Sequence, residues 1–213
     1  LEGSASTAIN SNTANGSRFD NAGRIVQGVV TPHLLSLQSF NNSGTVSVPQ
    51  GTLKILGDGT DSGVYSVSAL ATLEFSGART LDATSTLTNL GIFKVAGGTV
   101  GVNGTLDLAS AGSSVQITNA GTLNFGSAGT LNSLTLTDGT MGGSASVQVN
   151  GAFNVTSATS SLIGSGKLST AGTSTLSQSG GLNLAGTRSW DNTGSIDVTG
   201  SGSVSLGTGT TLT

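Results

Sequence analysis

Hydrophobic and polar residues alternate along most of the chain in short runs. Residues 46–48, 53–55 and 106–108 are examples, each with one polar residue between two apolar ones. Alternation with a period of two predicts a β-strand that turns one side inward. Gly, Asn, Asp and Ser interrupt these runs every few residues, and these residue types favour turns. Because no long segment repeats apolar residues at helical spacing, the pattern predicts an all-β protein built from very short strands.

A nine-residue phrase recurs five times, with the form apolar, polar, Asn, any, Gly, any, apolar, any, apolar. The first copy departs at its last position, where Gln27 replaces the apolar residue. The phrase is centred on Asn21, Asn42, Asn89, Asn119 and Asn192. Asn tolerates the left-handed backbone region and hydrogen-bonds to nearby backbone, while Gly reaches positive φ without a steric clash. We therefore expect a turn and a short strand at each copy, and an asparagine ladder wherever copies stack.

The spacing of the copies indicates a repeating coil. The asparagines lie 21, 47, 30 and 73 residues apart along the chain. A coil of roughly 20–24 residues accounts for these gaps except the third. That gap requires an insertion or a turn at a different corner of the coil. A longer phrase strengthens the repeat, since residues 73–82 resemble residues 182–191 and place Arg79 and Arg188 at the same position.

These regularities predict a right-handed parallel β-helix, or β-solenoid, with roughly 20–24 residues per coil. About ten coils, stacked about 4.8 Å apart, would form a body roughly 45–50 Å long. We expect a continuous solenoid over residues 39–213. Residues 1–38, which contain Pro32 and His33, are predicted to be an irregular N-terminal coil or an edge cover. Neither end offers an obvious polar cap, so we expect a fragment or processed part of a longer chain, or a subunit that stacks end to end.

Composition narrows the classes of function. Charged residues make up 8% of the chain and the net charge is −3, which gives no electrostatic basis for nucleic-acid binding or for membrane insertion. Hydrophobic residues make up 35%, so the 34 glycines belong to an ordered protein rather than to a flexible linker. The chain has no cysteine and no apolar stretch long enough for a transmembrane helix.

The Gly-, Ser-, Thr- and Asn-rich repeats resemble those of bacterial surface and secreted β-solenoids. The segment 134–149 and the repeated Gly-Thr-Leu and Asn-x-Gly phrases carry this resemblance over most of residues 39–213. Filamentous-haemagglutinin-like adhesins and autotransporter passenger domains are the families that the chain resembles. The resemblance implies export to the cell surface or the extracellular space and a role in adhesion or as a stalk.

Few residues are candidates for chemistry. His33 is the single histidine and no serine elbow accompanies it, which favours a structural role. Asp58 and Asp61 lie in a glycine-rich stretch that occurs once, which favours a solvated turn over a calcium site. Asp191 and Asp197 lie near Arg188 in sequence, an arrangement that fits either a site or a solvated corner.

Thr-x-Thr occurs three times, at residues 86–88, 135–137 and 211–213, with irregular spacing. This arrangement favours outward threonines on ordinary strands over an ordered threonine surface. Tyr65, Phe93 and Trp190 are candidates for stacking on sugars, but the phrase places Trp190 at an inward position.

The sequence as a whole predicts a non-enzymatic structural or adhesive segment of an exported bacterial surface protein or fibre, with no catalytic residue, cofactor or metal. The predicted partners are a host or matrix surface, a glycan, or further copies joined end to end. Residues 57–63 and 139–143 are the loops expected to face such a partner. The alternatives are a carbohydrate-acting β-helix enzyme, marked by acids clustered on one face, and an ice- or surface-binding module, marked by a flat face of aligned threonines.

Overall fold

The computed structural model describes residues 1–3, 7–10, 16–177 and 181–213, and these form a β-solenoid of about nine turns. Each coil contributes three short strands, one to each of three faces, and strands on the same face of neighbouring coils pair in parallel, except at one break in the third face. The described residues contain no helix. In particular, none of them forms a helix long and apolar enough to cross a membrane. The prediction of an all-β parallel solenoid is confirmed.

The strands are numbered β1 to β30 in chain order. The first face is a ten-stranded sheet of β1 (Thr7–Asn10), β4 (His33–Ser36), β7 (Thr52–Ile55), β10 (Thr72–Phe75), β13 (Ile92–Ala96), β16 (Ser114–Thr118), β19 (Leu134–Thr137), β22 (Phe153–Val155), β25 (Ser174–Leu176) and β28 (Ile196–Val198). The second face is a ten-stranded sheet of β2 (Arg18–Asn21), β5 (Ser39–Asn42), β8 (Gly59–Asp61), β11 (Arg79–Leu81), β14 (Thr99–Val102), β17 (Thr122–Phe125), β20 (Thr140–Gly143), β23 (Ser161–Leu162), β26 (Gly181–Leu184) and β29 (Ser203–Leu206).

The third face is divided into two five-stranded sheets. Its strands are β3 (Arg24–Val26), β6 (Thr45–Val48), β9 (Val64–Val67), β12 (Thr86–Asn89) and β15 (Thr105–Asp107), followed by β18 (Gly129–Leu131), β21 (Val147–Val149), β24 (Lys167–Thr170), β27 (Ser189–Asn192) and β30 (Thr211–Leu212). A single bridge, between Leu108 and Leu131, joins the two halves. An open groove of about 500 Å³ lies at this break, between Leu106 and Ala109 on one side and the outer surface of β18, β21 and β24 on the other.

Because apolar and polar residues alternate, the inward apolar side chains of successive coils stack in columns. Leu53, Leu73 and Phe93 occupy the same register position on successive strands of the first face, and all three are fully buried. Successive strands there start 20 residues apart, as Thr52, Thr72 and Ile92 do. Each buried aliphatic or aromatic side chain contributes roughly 1.5–3 kcal/mol of transfer free energy. The stack is thus stabilised along its whole length by contacts between neighbouring coils.

Residues 1–38 contain both strands and a covering segment. Strands β1 to β4 lie here and pair with the coils that follow, although the register shifts between Thr7 and Ile9. The first residues lie beside β3, because the amide of Gly28 donates to the Leu1 carbonyl at 3.0 Å. The domain boundary at residue 38 stays a prediction.

The five Asn-x-Gly copies lie on different faces rather than in one column. Asn21 and Asn42 end adjacent strands of the second face. The side-chain amide of Asn21 donates to Asn42 Oδ1 at 2.7 Å, so these two copies form the predicted asparagine ladder. Asn89 and Asn192 end strands of the third face, and each donates to the carbonyl of the glycine two residues on. Asn119 follows β16 of the first face in the left-handed region, with φ of 53°. The irregular third gap therefore reflects a turn at a different corner.

Candidate functional site

A cluster of three ionisable side chains lies inside the solenoid. Asp61 and Arg79, on adjacent strands of the second face, form an ion pair in which Nη2 and Oδ1 are 2.5 Å apart, and both side chains are fully buried. The hydroxyl of Tyr65 donates to the same carboxylate oxygen at 2.8 Å, and the backbone amide of Asn42 donates to it at 3.0 Å. The prediction of a solvated turn is wrong for Asp61, while Asp58 is exposed and accepts from the Ala78 amide at 2.7 Å.

Arg79 links three coils through this cluster. Nη1 donates to the Gly57 carbonyl at 2.8 Å, and Nη2 donates to the Phe40 carbonyl, two coils back, at 2.9 Å. The guanidinium also lies against the rings of Phe40 and Phe75, with its central carbon 5.3 and 4.9 Å from their centroids. Such desolvated cation–π contacts are strong for their type. Arg79 therefore holds the interior together as well as neutralising Asp61.

Burial shifts the pKa values of all three groups in the cluster, and it raises the pKa of Asp61 in spite of the adjacent Arg79. Burial raises the pKa of Tyr65 well above its ordinary value. Desolvation on its own would lower the pKa of Arg79, but Tyr65 and the Asp61 carboxylate more than offset it, so that pKa lies above its ordinary value. Tyr65 and Arg79 therefore keep their protons at neutral pH, and the Arg79 guanidinium stays charged beside Asp61. The cluster is thus a fixed internal cross-link.

Arg188 makes a similar internal link without a carboxylate. Its side chain is fully buried, and Nη2 donates to the carbonyls of Ile163 at 2.8 Å and Gly143 at 3.0 Å. Burial lowers the pKa of Arg188 to about 10. Nη1 has no hydrogen-bond partner among the described residues.

Asp191 and Asp197 lie near Arg188 in sequence, but the structure gives each of them a different environment. Asp191 instead pairs with Lys167 at 2.9 Å on the third face, and Asp197 is exposed on the first. Among the described residues, no ion pair joins Arg188 to either acid. The interpretation of the three as one solvated corner is therefore wrong, and so is their grouping into one site. The longer phrase does repeat a buried arginine, but residues 73–75 lie on the first face and residues 182–184 on the second.

His33 occupies a buried position near the N-terminal end. Its Nδ1 lies 2.6 Å from Gln27 Oε1 and its Nε2 lies 2.9 Å from the Gly3 carbonyl. His33 as a whole is 2% exposed. Both ring nitrogens are thus used to hold the first residues and the 27–32 loop together, which agrees with the structural role predicted for His33.

The candidate sugar-stacking residues all point inward. Trp190, Tyr65 and Phe93 are fully buried. Trp190 packs edge-on against Phe153, with ring centroids 5.5 Å apart, and its indole donates to Thr170 Oγ1 at 2.8 Å. The inward position predicted for Trp190 is confirmed.

The two stretches expected to present loops are largely strand. Residues 59–61 form β8 and residues 140–143 form β20, both within the second face. Glycines allow close stacking there, since a Cβ on Gly59 would lie 1.9 Å from the Phe40 carbonyl oxygen. These segments are therefore part of the stacked wall.

The outer surface of the first face carries a charged row. Glu74 on β10 lies between Lys54 of β7 and Lys94 of β13, at 2.7 and 3.1 Å. Desolvation raises the pKa of Glu74, but hydrogen bonds from the two lysines outweigh it, so the pKa lies below its ordinary value. This row spans three coils and carries a net charge of +1, because two lysines share one carboxylate.

Hydroxyl side chains form a column on the second face that local sequence phrases do not reveal. The predicted Thr-x-Thr pairs lie on three different sheets, at β12, β19 and β30. A different set shares one register position on the second face: the hydroxyl residues Thr99, Thr122, Thr140, Ser161 and Ser205, with the amide of Asn183 between the last two. These residues are exposed or half-buried. Only the strand register, which is set by coil length, could have identified this column.

Comparisons with known proteins assign no family. No protein-family model, curated protein or solved structure matches the chain. Within the part of the chain that the structure describes, no three potential ligands among His, Asp and Glu lie close enough to hold a metal ion.

Proposed function

We propose that this chain is a non-enzymatic structural or adhesive segment of an exported bacterial surface protein or extracellular fibre. The observation that carries the proposal is the location of the ionisable side chains. The tightest acid–base cluster, Asp61, Tyr65 and Arg79, is buried and cross-links coils, while the outer walls are regular and carry little charge. A stack of this kind holds a long, rigid shape and presents its walls to a host surface, a matrix or a glycan.

The last coil supports self-association end to end. Strands β28, β29 and β30 each pair on one side only, and Val198 and Leu206 are 52% and 53% exposed. At the same positions one coil earlier, Leu176 and Leu184 are buried. Open parallel edges with half-exposed apolar residues are templates for a further coil. A second copy is the partner proposed for this end.

Two measurements test the proposed function. Antibodies raised against the purified chain should label intact, unpermeabilised cells of the source organism or fibres around them; label that requires permeabilisation would contradict export.

Negative-stain electron microscopy of the purified chain should show rods that lengthen with concentration. Rods of one length at every concentration would contradict end-to-end assembly while leaving the surface role to the first experiment.

A surface-binding module is the second candidate, favoured by the hydroxyl column of the second face. Six side chains at one register position recur about 4.8 Å apart, on a wall that carries no charged outward side chain from β14 onward. An ordered array of this kind suits a regular surface such as ice. Thr122→Lys should abolish inhibition of ice recrystallisation and Thr135→Lys, on the first face, should not; no inhibition by the unmodified chain would exclude this candidate.

A further inference from the structure

The third face of the solenoid is interrupted at one step, between the fifth coil (β13 to β15) and the sixth (β16 to β18). Across this step, β15 and β18 are joined only by the bridge between Leu108 and Leu131. On the first face β13 pairs with β16, and on the second face β14 pairs with β17, in both cases over the full length of the strands. The two coils are therefore held firmly on two faces and weakly on the third.

The packing inside the solenoid is also weak at this step. The bridge places Leu106 opposite Gly129, in a column of inward apolar side chains that runs along the third face. Leu87 and Val147, the next residues of the column on either side, are each 1% exposed. Leu106 is only half-buried, and Gly129 has no side chain with which to cover it. Because burial of apolar area is what stabilises such a column, the column contributes little across this step.

The local geometry does not require glycine at position 129. Gly129 does not have positive φ, and a Cβ there would lie 3.4 and 3.5 Å from two atoms of the Phe125 ring, with no other heavy atom within 4 Å. By contrast, a Cβ on Gly44 or Gly91 would lie 2.1 or 2.3 Å from a backbone oxygen. Glycine weakens a strand because it has high conformational freedom and no side chain to pack. A residue that costs stability thus occupies a position that would accept alanine.

The outer wall leaves room for movement at the same step. The groove of about 500 Å³ at the break lies between Leu106 and Ala109 on one side and the outer surface of β18 on the other. The groove is open to solvent, so a change in its width does not bury unpaired backbone groups. Such a change would strain the single bridge of the third face while the strands of the other two faces stay paired.

We propose that the step between β15 and β18 is a hinge at which the solenoid bends, and that Gly129 keeps this hinge loose. The first and second faces meet at one corner and form the axis of the bend, while the third face opens and closes opposite them. Each half of the solenoid keeps its own continuous walls, so bending is confined to this step. An elongated segment with one such hinge follows a curved surface without losing strand pairs elsewhere. The hinge depends neither on export nor on end-to-end assembly.

Pairs of spin labels measure the bend directly, because the chain has no cysteine of its own. Ser66→Cys with Gln148→Cys places labels in one outward column of the third face, on β9 and β21, across the break. Lys54→Cys with Thr135→Cys places labels on the first face of the same two coils. Each pair spans about 19 Å at 4.8 Å per strand. Double electron–electron resonance should give a distance distribution about twice as wide for the third-face pair, because only that face opens.

A methyl group at the hinge tests the role of Gly129. Gly129→Ala should narrow the third-face distribution towards the width of the first-face distribution, because the added Cβ packs in the column and restricts the backbone. The first-face distribution should not change. Gly23→Ala is the matched control, since Gly23 also accepts a Cβ without a clash but lies in the first coil. It should leave both distributions unchanged.

Three results would each overturn the proposal. The first is equal widths for the two label pairs when Gly129 is intact. The second is a third-face distribution that G129A leaves as wide as before; if G129A disturbs the circular dichroism spectrum, Gly129→Ser replaces it. The third comes from Thr130→Cys with Asp191→Cys, a pair within the unbroken half of the same face. This pair should be narrow, and a distribution as wide as that across the break would mean that the whole face is loose.

Discussion

Asp61 shows how a single residue can decide the stability of the interior. Its carboxylate balances a buried guanidinium and accepts hydrogen bonds from the side chains of Tyr65 and Arg79. Asp61→Asn keeps the size of the side chain but leaves Arg79 as an uncompensated buried charge. We expect this substitution to lower the free energy of unfolding by about 3–5 kcal/mol. Urea unfolding followed by far-UV circular dichroism measures the change.

An exposed ion pair of the same type provides the control. Asp20 pairs with Arg18 at 2.8 Å on the outer surface of β2, where both side chains are more than half exposed. Asp20→Asn should leave the urea midpoint unchanged, because water and salt screen such pairs. If D61N and D20N unfolded at the same urea concentration, the buried pair would not have the structural role assigned to it.

The role of Asp61 illustrates what a sequence can and cannot predict at this scale. The surrounding glycines indicate a turn, and a turn is ordinarily solvated. What buries Asp61 is Arg79, which lies 18 residues later and reaches it only because a coil has about that length. The carboxylate and its partner share no local phrase, so their pairing could not be predicted without the register of the strands. The same reason hid the hydroxyl column.

At the scale of the element, short alternating runs and turn residues were sufficient to predict parallel stacked strands. The face on which each strand lies was not predictable, because the Asn-x-Gly phrase serves three faces. Positive φ, the reason given above for the glycine of this phrase, does not account for it. Gly23, Gly44, Gly91, Gly121 and Gly194 do not have positive φ. At the last four the preceding coil leaves no room, since a Cβ there would lie 2.0–2.8 Å from one of its carbonyl oxygens.

Two glycines of the same column allow this explanation to be tested. A Cβ on Gly44 would lie 2.1 Å from the Gly23 carbonyl oxygen, whereas a Cβ on Gly23 would have no heavy atom within 4 Å. Gly44→Ala should therefore destabilise the chain by roughly 1–3 kcal/mol through overpacking against backbone. Gly23→Ala should be neutral or stabilising by up to about 1 kcal/mol, because alanine restricts the unfolded chain. Thermal melting of both variants measures the difference, and equal losses would indicate that backbone conformation rather than space selects glycine.

At the scale of the whole molecule, the solenoid behaves as a row of units. Its strands pair with the equivalent strands of neighbouring coils, so stability is close to a sum over coils and their interfaces. Arg79 and Arg188 are exceptions, since each reaches a carbonyl two coils back. The cluster around Arg79 therefore ties the early coils together more firmly than register alone would. The last coil, with Val198 and Leu206 half exposed, is held least.

This gradient predicts that the C-terminal end opens before the centre. Trp190 is the single tryptophan and is fully buried on β27, where Leu212 of the last coil covers it. Its emission should shift to longer wavelength at a lower urea concentration than the midpoint seen by far-UV circular dichroism, because loss of the weakly held last coil exposes the indole while most strands remain paired. The comparison needs a second reporter at the centre. Phe93 is also fully buried, so Phe93→Trp combined with Trp190→Phe should give fluorescence and circular dichroism curves that coincide. If the Trp190 curve also coincided with circular dichroism, the stack would unfold as one cooperative unit, and its open end would be as firmly held as its middle.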